Sequence, residues 1–214
     1  MKRTITAVVM STIFVIISLA SGPVKIELWP NGAPTKNGLE NVEEQCETVS
    51  EKVLSKISKA ELWIYPSSRP NGMCIVSSPG GGYYKLAIEK EGTAMAAWMN
   101  KLGITYAVLK YRMPNGHYEI PLEDGRRAME IMRSKASEYG FRPDRVGIMG
   151  GSAGGHFAAM LSTMYGEIKY RPDFQILLYP VITMGEFNHS RSRQELLGKN
   201  PSQELSEKYS IENE

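Results

Sequence analysis

Apolar and polar residues alternate along the chain in blocks that follow two different periods. Short runs of β-branched and aromatic residues, such as "ITYAVLKYR", predict strands, whereas apolar residues at every third or fourth position predict helices. The helix over residues 121–140 begins with a proline, carries acidic residues in its first turn and has one apolar face. The predicted strands cover residues 60–66, 72–79, 104–112, 145–150 and 174–180, and the predicted helices cover residues 91–103, 121–140 and the small-residue segment after Ser152.

This alternation of strands and helices predicts an α/β protein with a mainly parallel sheet. The strand segments are almost continuously apolar, which is typical of a sheet covered by helices on both faces. We therefore assign residues 51–214 to one α/β domain. Residues 23–50 are polar and rich in turn residues, as in "PNGAPTKNG", and we expect an exposed leader there.

The first 22 residues have a different pattern. Lys2 and Arg3 precede an uncharged run from Thr4 to Gly22 that ends in small residues. This order is typical of a secretory signal peptide, and we predict cleavage after about Ala20 or Gly22 and export to the periplasm or the medium. The alternative is a retained membrane anchor, although the run is slightly shorter than the ~20 apolar residues of a typical span.

Composition narrows the function classes. The 214 residues are 42% hydrophobic and 22% charged, with a net charge of +2 and no clustering of basic residues. This distribution argues against a nucleic-acid partner and favours a small molecule or a neutral polymer as substrate. Membrane contact is expected only through an uncleaved signal segment. No metal-binding spacing or cofactor loop is present, so we predict neither.

The sequence has two cysteines, and the predicted export would place them in an oxidising compartment. Cys74 lies within the apolar run "GMCIVSS", where we expect a buried thiol. A Cys46–Cys74 disulfide is possible in an oxidising compartment, but spacing alone does not establish its geometry.

The sequence "VGIMGGSAGGH" carries the clearest chemical pattern. Gly150 to Gly154 reads G-x-S-x-G between a predicted strand and a predicted helix. Such a turn raises the serine hydroxyl above the sheet, and the helix N-terminus and the following amide stabilise a developing oxyanion. We predict Ser152 as a nucleophile and the amide of Ala153 as an oxyanion donor.

A second glycine-rich segment, "PGGGY", directly follows the strand over residues 72–79. Glycines allow backbone amides to approach a substrate oxygen without obstruction. We predict Gly81 and Gly82 as the other oxyanion donors and Tyr83 as a substrate-binding residue. A phosphate-binding loop fits less well, because a Walker loop ends in Gly-Lys-Ser/Thr and a dinucleotide loop has different glycine spacing.

The segments "PGGGY", "YRMPNGHYEIPLED", "VGIMGGSAGGH" and "PDFQILLYPVITM" resemble secreted α/β-hydrolase esterases of the acetyl esterase and acetylxylan esterase type, relatives of the hormone-sensitive-lipase-like esterases. The similarity runs from about residue 40 to the C-terminus. It implies an α/β-hydrolase fold and removal of acetyl groups from plant polysaccharide, such as xylan, or from small acetyl esters by a Ser–His–Asp triad.

In this fold the catalytic acid and then the histidine follow the serine. His117 precedes Ser152, and no strand followed by an acid precedes His189 in the required way. His156 lies one helical turn after Ser152, where packing is expected, while His189 and His117 lie in polar loops and Asp173 begins a strand. The resemblance implies that the acid and histidine come from two later strand–helix units, beyond residue 214. We therefore expect a C-terminally truncated hydrolase, with the strand over residues 174–180 at an exposed sheet edge and activity lower by orders of magnitude.

Two other functions remain open. A serine peptidase of the prolyl-oligopeptidase type shares the serine turn, although no propeller precedes the domain. A non-catalytic, carbohydrate-binding remnant would also lack the acid and the histidine.

Overall fold

The computed structural model describes residues 22–48 and 50–213, so most of the predicted signal peptide lies outside the described residues. Nine strands and five α-helices are defined within these ranges. The strands are β1 (Val24–Glu27), β2 (Gln45–Thr48), β3 (Lys52–Ser55), β4 (Glu61–Tyr65), β5 (Gly72–Ser78), β6 (Lys85–Leu86), β7 (Thr105–Lys110), β8 (Phe141–Gly151) and β9 (Gln175–Leu178). The helices are α1 (Ala96–Lys101), α2 (Glu119–Ser134), α3 (Ser152–Thr163), α4 (Ser190–Leu197) and α5 (Gln203–Lys208).

Six strands form the central sheet in the order β1-β4-β7-β5-β8-β9. Strands β7, β5, β8 and β9 run parallel, whereas β1 and β4 pair antiparallel at the other side. Helices α1, α2 and α3 pack on the strands, which accounts for the complete burial of β7 and of the second half of β8. The predicted α/β class and mainly parallel sheet are confirmed.

The N-terminal segment, predicted over residues 23–50 as an exposed leader, is largely exposed in the structure but pairs into the sheets. Its first strand, β1, extends the central sheet by pairing with β4, and β2 joins β3 and β6 in a separate three-stranded sheet. Leu28 is buried, and the buried amide of Asn37 donates to the carbonyls of Ile57 and Met113. The segment therefore belongs to the domain, because long-range strand pairing stabilises residues whose local sequence favours turns.

The boundaries of two helices also differ from those predicted. The segment predicted as one helix over residues 91–103 is a 3-10 turn followed by the short α1, and α2 ends at Ser134 rather than near Gly140. Among the described residues, no helix has the length and apolarity needed to cross a bilayer.

The two cysteines lie in different environments, and both are free thiols. Cys46 is exposed on β2, whereas Cys74 is fully buried in β5. Burial raises the pKa of the Cys74 thiol well above its ordinary value. The expected burial of Cys74 is confirmed, and the possible Cys46–Cys74 disulfide is not formed.

Just after β7, the side chain of Arg112 lies almost fully buried against α2. Its guanidinium bonds both carboxylates of the α2 pair Glu123 and Asp124, at 3.0 and 2.8 Å. Asp124 also accepts a 2.7 Å hydrogen bond from the indole of Trp29. We call Trp29, Arg112, Glu123 and Asp124 the ionic cluster; it attaches the N-terminal segment to the central sheet.

Candidate active site

The serine of the G-x-S-x-G sequence stands where β8 meets α3. β8 ends at Gly151, and Ser152 is the first residue of the twelve-residue helix α3. Ser152 has φ of +52°, in the left-handed region that side-chain-bearing residues rarely adopt. Such a backbone costs on the order of 1–3 kcal/mol and is typical of functional sites. The predicted sharp turn between strand and helix is present.

Two glycines make this turn possible. A Cβ at Gly150 would lie 2.2 Å from the carbonyl oxygen of Gly154. A Cβ at Gly154 would lie 2.0 Å from the carbonyl oxygen of Ser78, at the end of β5. Real Cβ atoms do not approach backbone oxygens this closely, so any larger residue at either position would displace the serine.

The second glycine-rich segment lies beside the serine because β5 and β8 are parallel neighbours. Ser78 at the end of β5 is in register with Gly150, so the loops that follow both strands meet at one sheet edge. A Cβ at Gly80 would lie 3.1 Å from Cβ of Ser152. Residues 80–82, which we call the glycine loop, therefore contact the serine turn directly.

The glycine loop presents unpaired amides. Gly81 and Gly82 have φ of +139° and +63°, and neither amide donates a hydrogen bond to another described residue. Ala153 is buried, and its amide belongs to the first turn of α3, whose N–H groups have no acceptor within the helix. These three amides suit an oxyanion, and their catalytic role stays a prediction.

Tyr83 does not have the position that we predicted for it. Its side chain is completely buried, so it cannot contact a substrate. Its hydroxyl lies 2.8 Å from Nδ1 of His156, and burial raises the pKa of the phenol well above its ordinary value. The neighbouring Tyr84 is instead 36% exposed, with the guanidinium of Arg191 4.4 Å from its ring centre. Sequence alone could not distinguish these two adjacent tyrosines.

His156 is a packing residue, as its position on the serine's own helix predicted. Its Nε2 lies 2.8 Å from the carbonyl oxygen of Tyr209, which can only accept, so Nε2 carries the proton. Nδ1 then accepts from the Tyr83 hydroxyl. Burial lowers the pKa of His156 to about 4, so the ring is neutral near pH 7. We call Tyr83, His156 and Tyr209 the histidine cluster.

The remaining candidates are bonded to other groups or exposed. His189 is the N-cap of α4: its Nδ1 accepts a 3.2 Å hydrogen bond from the amide of Ser192. His117 is exposed in a turn, and Asp173 pairs with Arg133 at 2.9 Å. None of the three histidines hydrogen-bonds Ser152 in the structure.

Two residues that the sequence did not single out adjoin the serine turn. The carboxylate of Glu91 accepts a 2.9 Å hydrogen bond from the amide of Gly80. A Cβ at Gly151 would lie 2.6 Å from Glu91 Oε2 and 2.9 Å from the hydroxyl of Tyr179. Glu91 was interpreted only as the start of a helix, and no local pattern marks an acid that contacts a loop eleven residues earlier.

Among the described residues, no group of three or more His, Cys, Asp or Glu side chains is arranged to hold a metal ion. The chemistry that the arrangement offers is that of one hydroxyl beside several backbone N–H donors.

The sequence profile of the alpha/beta hydrolase fold family matches residues 75–211, which include the glycine loop, the serine turn and α4. The chain belongs to this family. The fold that the sequence resemblance implied is thereby confirmed.

The similar curated proteins include esterases and a xylanase. The chain is 43% identical over 147 residues to an acetylxylan esterase of Xylanibacter ruminicola, a match that covers 68% of this chain and 30% of the relative. It is 36% identical over 153 residues to endo-1,4-beta-xylanase B of Butyrivibrio fibrisolvens, covering 65% of this chain and 24% of that protein. The chain thus spans less than a third of the length of these relatives. The resemblance to acetylxylan esterases is confirmed.

Among solved structures, the chain resembles an acetyl ester-xyloside bifunctional hydrolase from Caldicellulosiruptor lactoaceticus. The TM-score is 0.69 at 30% identity, over 91% of this chain and 71% of that one. Esterase 2 of Thermogutta terrifontis, at 22% identity and a TM-score of 0.57, covers 82% of this chain and 67% of its own and shows the shared fold.

Proposed function

We propose that this chain supplies the nucleophile and the oxyanion site of an exported serine carboxylic ester hydrolase that removes acetyl groups from polysaccharides such as xylan or from small acetyl esters. The observation that carries the proposal is the left-handed backbone of Ser152 at the β8–α3 junction, directly against the glycine loop. The acetylated substrate is suggested by the acetylxylan esterase and the acetyl ester-xyloside hydrolase among the similar proteins.

In the proposed reaction, Ser152 Oγ attacks the acetyl carbonyl carbon and gives its proton to a base. The carbonyl oxygen becomes an oxyanion that accepts hydrogen bonds from the amides of Gly81 or Gly82 and of Ala153. The intermediate expels the sugar oxygen, which takes up the proton, and leaves an acetylated Ser152. Water then cleaves this ester, releasing acetate and restoring the hydroxyl. The base is the histidine that the family resemblance implies, for which none of the histidines at 117, 156 and 189 is in place.

The test is hydrolysis of p-nitrophenyl acetate and release of acetate from acetylated xylan by the complete natural protein. We expect Ser152→Ala to lower kcat by at least about 10³-fold, since triad members act as a unit. Ser162→Ala is the matched control: it lies on the same helix, and its hydroxyl donates only to the carbonyl of Ala158. Equal activity of Ser152→Ala and wild type would refute the proposal.

Two further measurements separate the alternatives. Cleavage of proline-containing peptides in preference to acetylated xylan would favour a peptidase, whereas xylan binding without turnover would favour a non-catalytic remnant. For the proposed export, the N-terminus of the mature protein from the culture medium or periplasm is expected just after residue 20 or 22. An intact N-terminus in the cytoplasmic fraction would contradict export.

A further inference from the structure

Glu91 occupies the space between the two loops that flank the serine turn. Its Oε2 accepts from the amide of Gly80, at the start of the glycine loop. On the other side lies Tyr179, which follows β9 and is 67% exposed. Partial desolvation of the phenol and the nearby negative charge of Glu91 raise the pKa of Tyr179. One carboxylate therefore bonds the loop after β5 and lies across Gly151 from the loop after β9.

The backbone of Glu91 is fixed independently of its side chain. Its amide donates a 3.0 Å hydrogen bond to the carbonyl of Ala87, and its carbonyl accepts a 3.2 Å hydrogen bond from the hydroxyl of Ser77 on β5. The carboxylate thus extends from an anchored main chain. The carboxylate is therefore a hydrogen-bond acceptor at a fixed position beside the glycine loop.

This contact determines which amides remain available. The N–H of Gly80 is used by Glu91, while those of Gly81 and Gly82 have no acceptor among the described residues. The carbonyl of Gly81 is turned away, since it accepts from the amides of Tyr84 and Lys85. Glu91 therefore fixes the direction of the loop at its first residue, and the two following N–H groups are left for an oxyanion.

The loop after β9 is fixed to the serine as well. Tyr179 has φ of +37°, and two residues later the amide of Val181 donates a 3.1 Å hydrogen bond to the carbonyl of Ser152. Glu91 thus lies between the glycine loop, which it bonds through Gly80, and the loop after β9, which bonds the serine through Val181.

We propose that Glu91 is a positioning residue of the active site, which places the oxyanion amides relative to Ser152 by accepting the Gly80 N–H. The inference rests on the proposed function and adds a residue to it. A negative charge beside a developing oxyanion opposes catalysis by Coulomb repulsion, so the benefit of Glu91 must come from where its oxygen lies. A neutral side chain of the same length can supply that oxygen.

The experiment compares three substitutions in the complete natural protein with p-nitrophenyl acetate as substrate. Glu91→Gln keeps an acceptor oxygen at the same reach, and we expect kcat within about threefold of wild type. Glu91→Asp keeps the charge but withdraws the oxygen by one methylene, and Glu91→Ala removes it. We expect kcat to fall about 10-fold for Asp and about 100-fold for Ala, with KM changed less than about threefold, because a misplacement of about 1 Å in an active site costs this much.

The matched control is Glu89→Ala. Glu89 lies two residues earlier and also accepts a backbone N–H, from Lys52 at 2.7 Å, away from the serine. We expect it to leave kcat unchanged. A second readout is inhibition by methylboronic acid, whose adduct with the serine places an oxygen at the oxyanion position. Its inhibition constant should rise in proportion to the loss of kcat/KM, whereas the inhibition constant of the product acetate should stay the same.

Several outcomes would overturn the inference. One is an unchanged kcat in Glu91→Ala. Another is a Glu91→Asp variant with a kcat equal to or above that of Glu91→Gln, since the charge of the side chain would then matter more for kcat than the position of its oxygen. If circular dichroism shows that Glu91→Ala does not fold, the comparison of kcat between the Glu91→Gln and Glu91→Asp variants still decides. Failure of the proposed function is a different result, because it appears as an active Ser152→Ala protein.

Discussion

Arg112 follows β7 and Tyr83 follows β5, and each belongs to a buried polar cluster. The ionic cluster attaches the segment before β4 to the sheet, through the indole of Trp29. The histidine cluster attaches the glycine loop to the segment near the described C-terminus, through the carbonyl of Tyr209. Both perform the same architectural task, but one does so with full charges and the other with neutral groups.

The difference lies in what remains when one member is removed. Loss of a carboxylate from the ionic cluster leaves a buried guanidinium short of partners, whereas loss of a hydroxyl from the histidine cluster leaves only an unpaired ring nitrogen. Breaking a buried ion pair typically costs about 3–5 kcal/mol, and an unsatisfied buried polar group about 1–3 kcal/mol. The clusters therefore differ in how much stability depends on each member.

The largest effect is expected from Asp124→Ala. The change removes the carboxylate that pairs with Arg112 and accepts from Trp29, and we expect a loss of about 3–5 kcal/mol in the free energy of unfolding. Urea denaturation followed by circular dichroism measures it. The control is Glu138→Ala, which removes an exposed ion pair with Lys135 and should cost about 1 kcal/mol or less. Equal losses in the two variants would remove the distinction between buried and exposed charges.

A smaller effect is expected from Tyr83→Phe. The ring still fills its buried site, but Nδ1 of His156 loses its donor, and we expect a loss of about 2 kcal/mol in the free energy of unfolding. Tyr84→Phe is the neighbouring control, because the Tyr84 side chain is partly exposed and its hydroxyl makes no hydrogen bond to another described residue. A loss for Tyr83→Phe as large as that for Asp124→Ala would contradict the comparison.

The smallest effect concerns pH. His156 has a folded-state pKa of about 4, against 6.5 for an ordinary histidine, so the unfolded chain binds a proton that the folded chain excludes. The contribution of neutral His156 to the free energy of unfolding is fully present above pH 6.5 and is lost as the pH falls from 6.5 towards about 4. At pH 5.5 we expect a loss of about 1 kcal/mol.

The measurement is the free energy of unfolding of wild type and His156→Gln at pH 7.5 and pH 5.5. Glutamine cannot take up a proton, so the variant should lose less stability than wild type between the two pH values. An identical decline in both proteins would show that His156 does not exclude the proton.

What the sequence could predict depended on how local the determining contacts are. Ser152 and the glycine loop were found from short motifs, because the turn geometry demands glycine within two residues of the serine. The α/β class and the mainly parallel sheet followed from the alternation of strands and helices, which needs no knowledge of individual side-chain contacts. Both kinds of information are carried by neighbouring residues.

Three features that the sequence did not predict involve distant partners. Tyr83 is buried because His156, seventy-three residues later, bonds its hydroxyl. β1 is a strand because β4 pairs with it, and Glu91 adjoins the site because the glycine loop folds back over it. None of these contacts leaves a periodic or compositional mark in the sequence.

The close approach of Gly150, Gly154 and the end of β5 also limits which substitutions this candidate active site can accept. Directed evolution at either glycine would yield misfolded or inactive protein, since a single added carbon meets a backbone oxygen at 2.2 Å or less. Tyr179 is exposed beside the serine turn, and Tyr84, with Arg191 over its ring, is exposed beside the glycine loop; none of them meets such an obstacle. Mutant libraries that aim at a new ester specificity should therefore vary these three positions and leave the glycines fixed.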